Sequence, residues 1–260
     1  MDDCLSFLSA NPECPSDQVL ACQVRLQLVA ADTETARNTT TAAIFYVKSL
    51  RGNVSRIQSS IPAALVDNRA LNASLYYTEL SILSLALSAK SHGPGQELHR
   101  LEAQHECLNI IKAALDSFFS IPLAEYASIS FPFFTHLARY ILVLYKLSTV
   151  EEPCLDGNLV RSSVDVLQVM DRLIGNIQQA RSMDGERSAG GLLDKALKIF
   201  ASVRQWCAAK LVEDGRPADT GIIHNISYAN RPSSFDFFPV EDDWLKDNFN
   251  GGFLEGHDWT

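Results

Sequence analysis

Glycine and proline are scarce in this 260-residue chain, at 13 and 10 positions, leaving few residues for the close turns of a sandwich or barrel. Leucine at 32 positions and an apolar fraction of 47% point instead to helices around a buried core. No two of the six cysteines (Cys4, Cys14, Cys22, Cys107, Cys154, Cys207) stand two residues apart. A structural zinc held by local cysteine pairs is therefore excluded, and six irregular thiols are too few for a disulfide scaffold. Basic residues are outnumbered, 22 against 31, for a net charge of −9. That excludes a generic polyanion binder, and no local basic patch for nucleic acid stands out. The longest apolar run, Leu137 to Leu147, is about half a membrane span and carries Arg139 and Lys146.

Catalytic signatures are equally sparse. No Gly-x-Gly-x-x-Gly or phosphate-loop sequence occurs, and Gly190-Gly191 falls between helical patterns with no strand before it. Gly185 to Gly190 is one residue too long for a nucleophile elbow around Ser188, which reads as a solvated linker serine. His105-Glu106-Cys107-Leu108-Asn109 begins like a zinc-protease helix, but Asn109 stands where the second histidine is required. His99, Glu102 and Glu106 share a helix face by spacing, a pattern that fits weak intrahelical pairs on a solvated surface. Cys107 and Cys207 read as buried, inert thiols, and Trp206 as a core aromatic. These features together favour a non-enzyme. Met1 is followed directly by Asp2 and Asp3, without a charged-then-apolar leader. The expectation is a protein of a reducing compartment, with free thiols and with the sequons at Asn38, Asn53, Asn72 and Asn225 unmodified.

Helical periodicity fills most of the chain. After a short opening turn broken by Asn11 to Ser16, apolar positions three and four apart predict a helix from about Ser16 to Val29. Thr39-Thr40-Thr41 can cap a second, from Ile44 to Ile61, which Pro62 ends. A third carries Leu71 to Leu87, and a fourth spans about Gln96 to Phe119. An aromatic-rich stretch through Pro132 reads as a packed loop, with Phe131 to Phe134 packing ahead of the next helix. That helix, Phe133 to Leu147, is apolar almost all round and so is expected to be the central buried element. Val160 to Ile177 and Leu192 to Trp206 predict two more, joined by an exposed link from Ser182 to Gly191. The fold class is all-α: an irregular bundle of about seven or more helices over residues 1–212.

Periodicity stops near residue 213, and residues 213–260 form an extended tail. Its last 26 residues hold seven carboxylates against one lysine, and seven of the 23 aromatic residues. The remainder of the chain carries 21 basic and 24 acidic residues, a balance of −3. The charge asymmetry belongs to the tail. Carboxylates interleaved with Phe and Trp keep the aromatics exposed, so that a coactivator groove can take Phe237, Phe238, Trp244 and Phe249 as anchors beside Asp242 and Asp243. The bland alternative is an ordinary terminus whose aromatics dock on the bundle.

Several blocks, in order, carry a resemblance: Cys14-Pro15-Ser16-Asp17 leading to Val24-Arg25-Leu26-Gln27-Leu28, Tyr76-Tyr77-Thr78-Glu79-Leu80-Ser81-Ile82 and Ser117-Phe118-Phe119-Ser120-Ile121-Pro122. Phe131-Pro132-Phe133-Phe134-Thr135-His136-Leu137-Ala138 and Leu144-Tyr145-Lys146-Leu147-Ser148-Thr149 follow. Residues 1–211 so resemble the region downstream of the DNA-binding module in fungal zinc binuclear-cluster transcription factors. The resemblance implies an all-helical region that regulates transcription in the nucleus. It also implies an amino-terminal module in which six cysteines, in two Cys-x-x-Cys-x6-Cys halves, hold two zinc ions and place a helix in the major groove. None of that spacing occurs in these residues. No zinc, cofactor, base contact or nuclear localisation signal is therefore assigned to any residue here, and DNA would be reached only through a module these residues do not contain. The expected partner is a transcriptional coactivator or another protein bound by the tail, with no membrane. The alternative is a stand-alone helical interaction scaffold, cytoplasmic or nuclear, that modulates its relatives without binding DNA.

Overall fold

The computed structural model describes residues 2–37, 43–88, 94–149, 157–184 and 191–213. Among them are nine α-helices, two 3-10 helices and no strand. The helices are α1 (Asp2–Ala10), α2 (Pro15–Arg37), α3 (Ala43–Ser59), α4 (Arg69–Ser88), α5 (Pro94–Phe119), α6 (Phe131–Thr149), α7 (Gly157–Ser163), α8 (Val166–Asp184) and α9 (Leu192–Glu213). The 3-10 helices are Ala63–Leu65 and Leu123–Ser128. The chain is all-α, as its periodicity requires. The threonine cluster at 39–41, most of the link at 185–190 and the tail from 214 lie outside the described residues.

Local chemistry sets the helix starts. Pro15 opens α2 at the position where a missing N–H costs nothing. The Asp17 carboxylate reaches back to accept from the backbone N–H groups of Glu13 and Cys14, at 2.8 and 3.0 Å, which holds its pKa below the ordinary aspartate value. Asn68 caps α4 by accepting from the Leu71 N–H at 3.0 Å. Asp165 caps α8, its carboxylate accepting from the N–H groups of Leu167 (2.8 Å) and Gln168 (3.1 Å). This cap corrects the single helix expected over Val160 to Ile177: Asp165 competes for the first-turn N–H groups, so α7 ends and α8 begins. Asp165→Ala should lower stability by about 1 kcal/mol in a urea titration, with an unchanged m-value.

Packing divides the described residues into two compact units, those of 2–121 with 129–160, and those of 122–128 with 161–213. In the first, α4 packs against α2, α3, α5 and α6. Helix α6, expected to be the central buried element, is heavily buried, but α4, with four helix neighbours, is the hub of the unit. Its buried polar residues conceal this: Thr78, Ser81 and Ser84 are at most 3% exposed. Their hydroxyls donate to the carbonyls one turn back, at 2.8 Å in each case, so burial leaves no donor unpaired. Cys22, Leu26 and Val29 of α2, Leu50 and Val54 of α3, and Leu71, Leu75, Ile82 and Leu85 of α4 form one apolar cluster. Helix α6 is heavily buried and packs on α4 and α5. Its Tyr140 hydroxyl donates to the Ala73 carbonyl of α4 at 2.9 Å. Phe131, Pro132, Phe133 and Phe134 form the first turn of α6 itself, because proline is well tolerated at a helix start.

In the second unit, α8 and α9 form an antiparallel hairpin. Val166, Met170, Leu173, Ile177 and Ala180 on α8 are buried, as are Leu193, Ala196, Phe200, Val203 and Cys207 on α9. Their alternating three- and four-residue spacing is that of a helix–helix seam. The 3-10 helix Leu123–Ser128 packs on α8, burying Tyr126, whose hydroxyl accepts from Asn176 Nδ2 at 3.1 Å. Arg204 pairs with Asp171 through two nitrogens, one at 3.0 Å, and Arg181 with Asp194 at 3.1 Å. Each pair keeps at least one partner half-exposed to solvent, so the pairs fix register more than stability.

Candidate functional site

The tail anchors Phe237, Phe238, Trp244 and Phe249, with Asp242 and Asp243, lie outside the described residues, as do Ser188 and Gly190. Of the other sequence candidates, His99 and Glu102 form an exposed pair at 3.3 Å on α5. Glu106 does not join them, because it pairs with Arg51 of α3. No group of three His, Cys, Asp or Glu side chains that could hold a metal ion occurs among the described residues. Cys107 and Cys207 are fully buried, and burial pushes the Cys107 thiol far up, which removes the thiolate that reactivity needs. Trp206 is only partly buried on α9. No described helix is long and apolar enough to cross a membrane.

Two polar arrangements escaped sequence reasoning. The first is a cleft of about 120 Å³ between α3 and α4, lined by Arg51, Val54, Ser55, Gln58, Glu79, Ile82 and Leu83. Glu79 accepts from Gln58 Nε2 at 3.1 Å. Burial raises its pKa, an effect countered by the Gln58 hydrogen bond and the charge of Arg51 and reinforced by that of Glu106. The second is His136 of α6, stacked on Tyr77 of α4 with ring centroids 4.2 Å apart and planes at 19°. Its buried Nδ1 has no hydrogen-bond partner among the described residues, and burial pushes its pKa down to about 4. Both arrangements join residues 21 to 59 positions apart. No local pattern marks them.

Comparison with known proteins places these features in context. A family model described as ATEG07667_C, C-terminal domain, matches residues 123–254, half of the chain. Over 203 residues the chain is 29% identical to the transcription factor opdL of Penicillium oxalicum, covering 75% of this chain and 36% of that protein. It is also 29% identical, over 234 residues, to a protein of Aspergillus terreus named "Transcription factor", covering 81% of this chain and 40% of that one. The chain thus spans well under half the length of these curated relatives. No solved structure matches it. The chain belongs to the family of that C-terminal domain, and the curated proteins it is similar to are fungal transcription factors.

Proposed function

We propose that this chain is the effector region of a fungal transcription regulator, acting in the nucleus through protein contacts and without catalysis. The observation that carries the reading is the similarity, over three quarters or more of the chain, to two curated transcription factors. Residues 213–260 are the partner-binding segment in this reading. Interface energy concentrates in a few large apolar anchors, and Phe237, Phe238, Trp244 and Phe249 are the candidates. Asp242 and Asp243 hold the segment in solution and speed encounter with a basic-rimmed coactivator groove. DNA contact belongs to a zinc module outside these residues.

The test is to fuse the full chain to an unrelated sequence-specific DNA-binding domain and measure reporter transcription. The fusion should activate. Changing the four aromatic anchors together to alanine should remove most of the activation while leaving the helical circular dichroism unchanged. Asp242→Asn with Asp243→Asn should weaken it less, because exposed charges contribute mainly to rate. A silent fusion would overturn the effector reading in favour of the scaffold. Full activity in the anchor variant would move the effector surface onto the helical body.

A further inference from the structure

The exposed face of α3 plays no part in the proposed function. Phe45 is 78% exposed, more than any other large hydrophobic side chain among the described residues. Lys48, Ser49, Gly52 and Arg56 continue the same row at three- and four-residue spacing, all of them exposed. The helix carries three cations, Lys48, Arg51 and Arg56, and no carboxylate in its 17 residues. Arg51 is paired with Glu106 of α5. Arg56 donates to the neutral Asn53 side chain one turn back, and Lys48 has no side-chain partner among the described residues. Two cations of the row therefore lack a counter-charge there. Gly52 lies one turn from each of them, and a Cβ placed on it would meet nothing within 4 Å. Glycine is a poor helix former, and no close neighbour among the described residues requires it. It leaves a bare notch between the two cations.

We propose that this face docks the chain's own acidic-aromatic segment, residues 235–249, and withholds its anchors until a partner displaces it; this rests on reading that segment as the partner-binding one. The segment holds five carboxylates against Lys246, with Phe235, Phe237, Phe238, Trp244 and Phe249 among them. That is the complement of the α3 row in both charge and apolar character. Its carboxylates answer Lys48 and Arg56, whose charge also favours an aromatic ring laid over the notch, and Phe45 gains an aromatic neighbour. A nucleic acid would match the two cations but not Phe45, and would meet the chain's net charge of −9. The 21 residues from Asp214 to Ser234 span up to ~70 Å when extended, so the link does not confine the segment to α9. Tethering of this kind gives an effective concentration of about 1 mM. An intrinsic dissociation constant of about 0.1 mM then keeps the segment docked about nine-tenths of the time.

Zero-length carbodiimide coupling of the full chain, followed by peptide mass spectrometry, tests the contact directly, because it joins an amine to a carboxylate only where the two touch. The expected product is an amide between Lys48 and Glu241, Asp242 or Asp243 within one molecule. Its yield should fall at least about fivefold in Arg56→Glu, which keeps Lys48, and in Gly52→Gln, which fills the notch without changing the charge. Both positions are exposed on α3, so helical circular dichroism should not change. In the reporter fusion, Lys48→Glu with Arg56→Glu should raise transcription by between about threefold and tenfold, the upper limit set by a docked fraction of about nine-tenths. Absence of the amide, equal coupling of the segment to the exposed Lys198 of α9, or a product confined to cross-linked dimers would overturn the proposal, the last by giving the segment to a second copy. So would a parent fusion that activates but does not respond to the double variant. A fusion silent in every variant, with the amide formed, would instead sink the effector reading and leave the docking in place.

Discussion

Tyr140→Ala should lower the unfolding free energy by about 3–5 kcal/mol, whereas Tyr140→Phe should lower it by about 1 kcal/mol. The ring is 1% exposed on α6, where α4 and α5 both pack, so truncation leaves a void that close-packed neighbours fill only in part. The hydroxyl is a smaller term. It donates to the Ala73 carbonyl at 2.9 Å, and losing the donor leaves that carbonyl with its own helical N–H partner, so nothing is stranded. Burial also raises the phenol pKa strongly, with lesser pushes from Tyr77 and Tyr76, so Tyr140 stays neutral and bonded into alkaline solution. Urea titrations of both variants against the parent chain separate the two terms. A loss in Tyr140→Phe as large as in Tyr140→Ala would mean that the hydrogen bond, not the packed ring, holds α6 to α4.

The helices were legible because their apolar residues repeat every three to four positions, and the hairpin of α8 and α9 is the clearest case. Its buried residues Met170, Leu173, Ile177 and Phe200, Val203, Cys207 lie on the stripes that periodicity marks. The hub was not legible. Helix α6 advertises burial with a nearly unbroken apolar run, whereas α4 interleaves Thr78, Ser81 and Ser84, which count as polar in any pattern. Each of those hydroxyls is satisfied within its own helix, so α4 can be surrounded by four helices without a desolvation penalty. Composition records residue type, and burial depends on whether the polar atom has a partner. The break at Asp165 escaped for a related reason. Val160 and Val164 keep the helical phase across it, and only the side-chain oxygen bonded to the Leu167 and Gln168 N–H groups stops the helix.

The site divides in the same manner. An acidic-aromatic tail is a compositional signal, so residues 235–260 stand out with no structure at all. The cleft of Arg51, Gln58 and Glu79, and the stack of His136 on Tyr77, depend on which helix faces meet across long stretches of chain. Glu79 looks like an ordinary helix carboxylate in sequence, and His136 like any polar residue in an apolar segment. Their altered acidities follow from burial, which local spacing does not encode.

His136 gives the chain a measurable acid sensitivity. Its pKa is pushed from 6.5 to about 4 by burial, so between those values the unfolded chain binds a proton that the folded chain refuses. Stability contributed by the neutral ring is complete above about pH 6.5 and is lost as pH falls towards about 4. A shift of about 2.5 units at 1.36 kcal/mol each sets the limit at about 3 kcal/mol. Glu79 acts with the opposite sign. Its raised pKa means the folded chain holds the extra proton, so acidification relieves a cost there and partly masks the histidine. Asp17 and Asp171, whose values are lowered, lose their contributions only near and below the ordinary aspartate range. A single pH profile therefore mixes these effects, and a difference isolates one. His136→Phe keeps an aromatic ring against Tyr77 but removes the proton site, while Glu79 and the aspartates titrate alike in both chains. The stability of the parent minus that of His136→Phe should fall by about 2 kcal/mol between pH 7 and pH 5, as measured by urea unfolding at each pH. A difference that stays constant over that interval would mean the imidazole takes up its proton as readily in the folded chain as in the unfolded one.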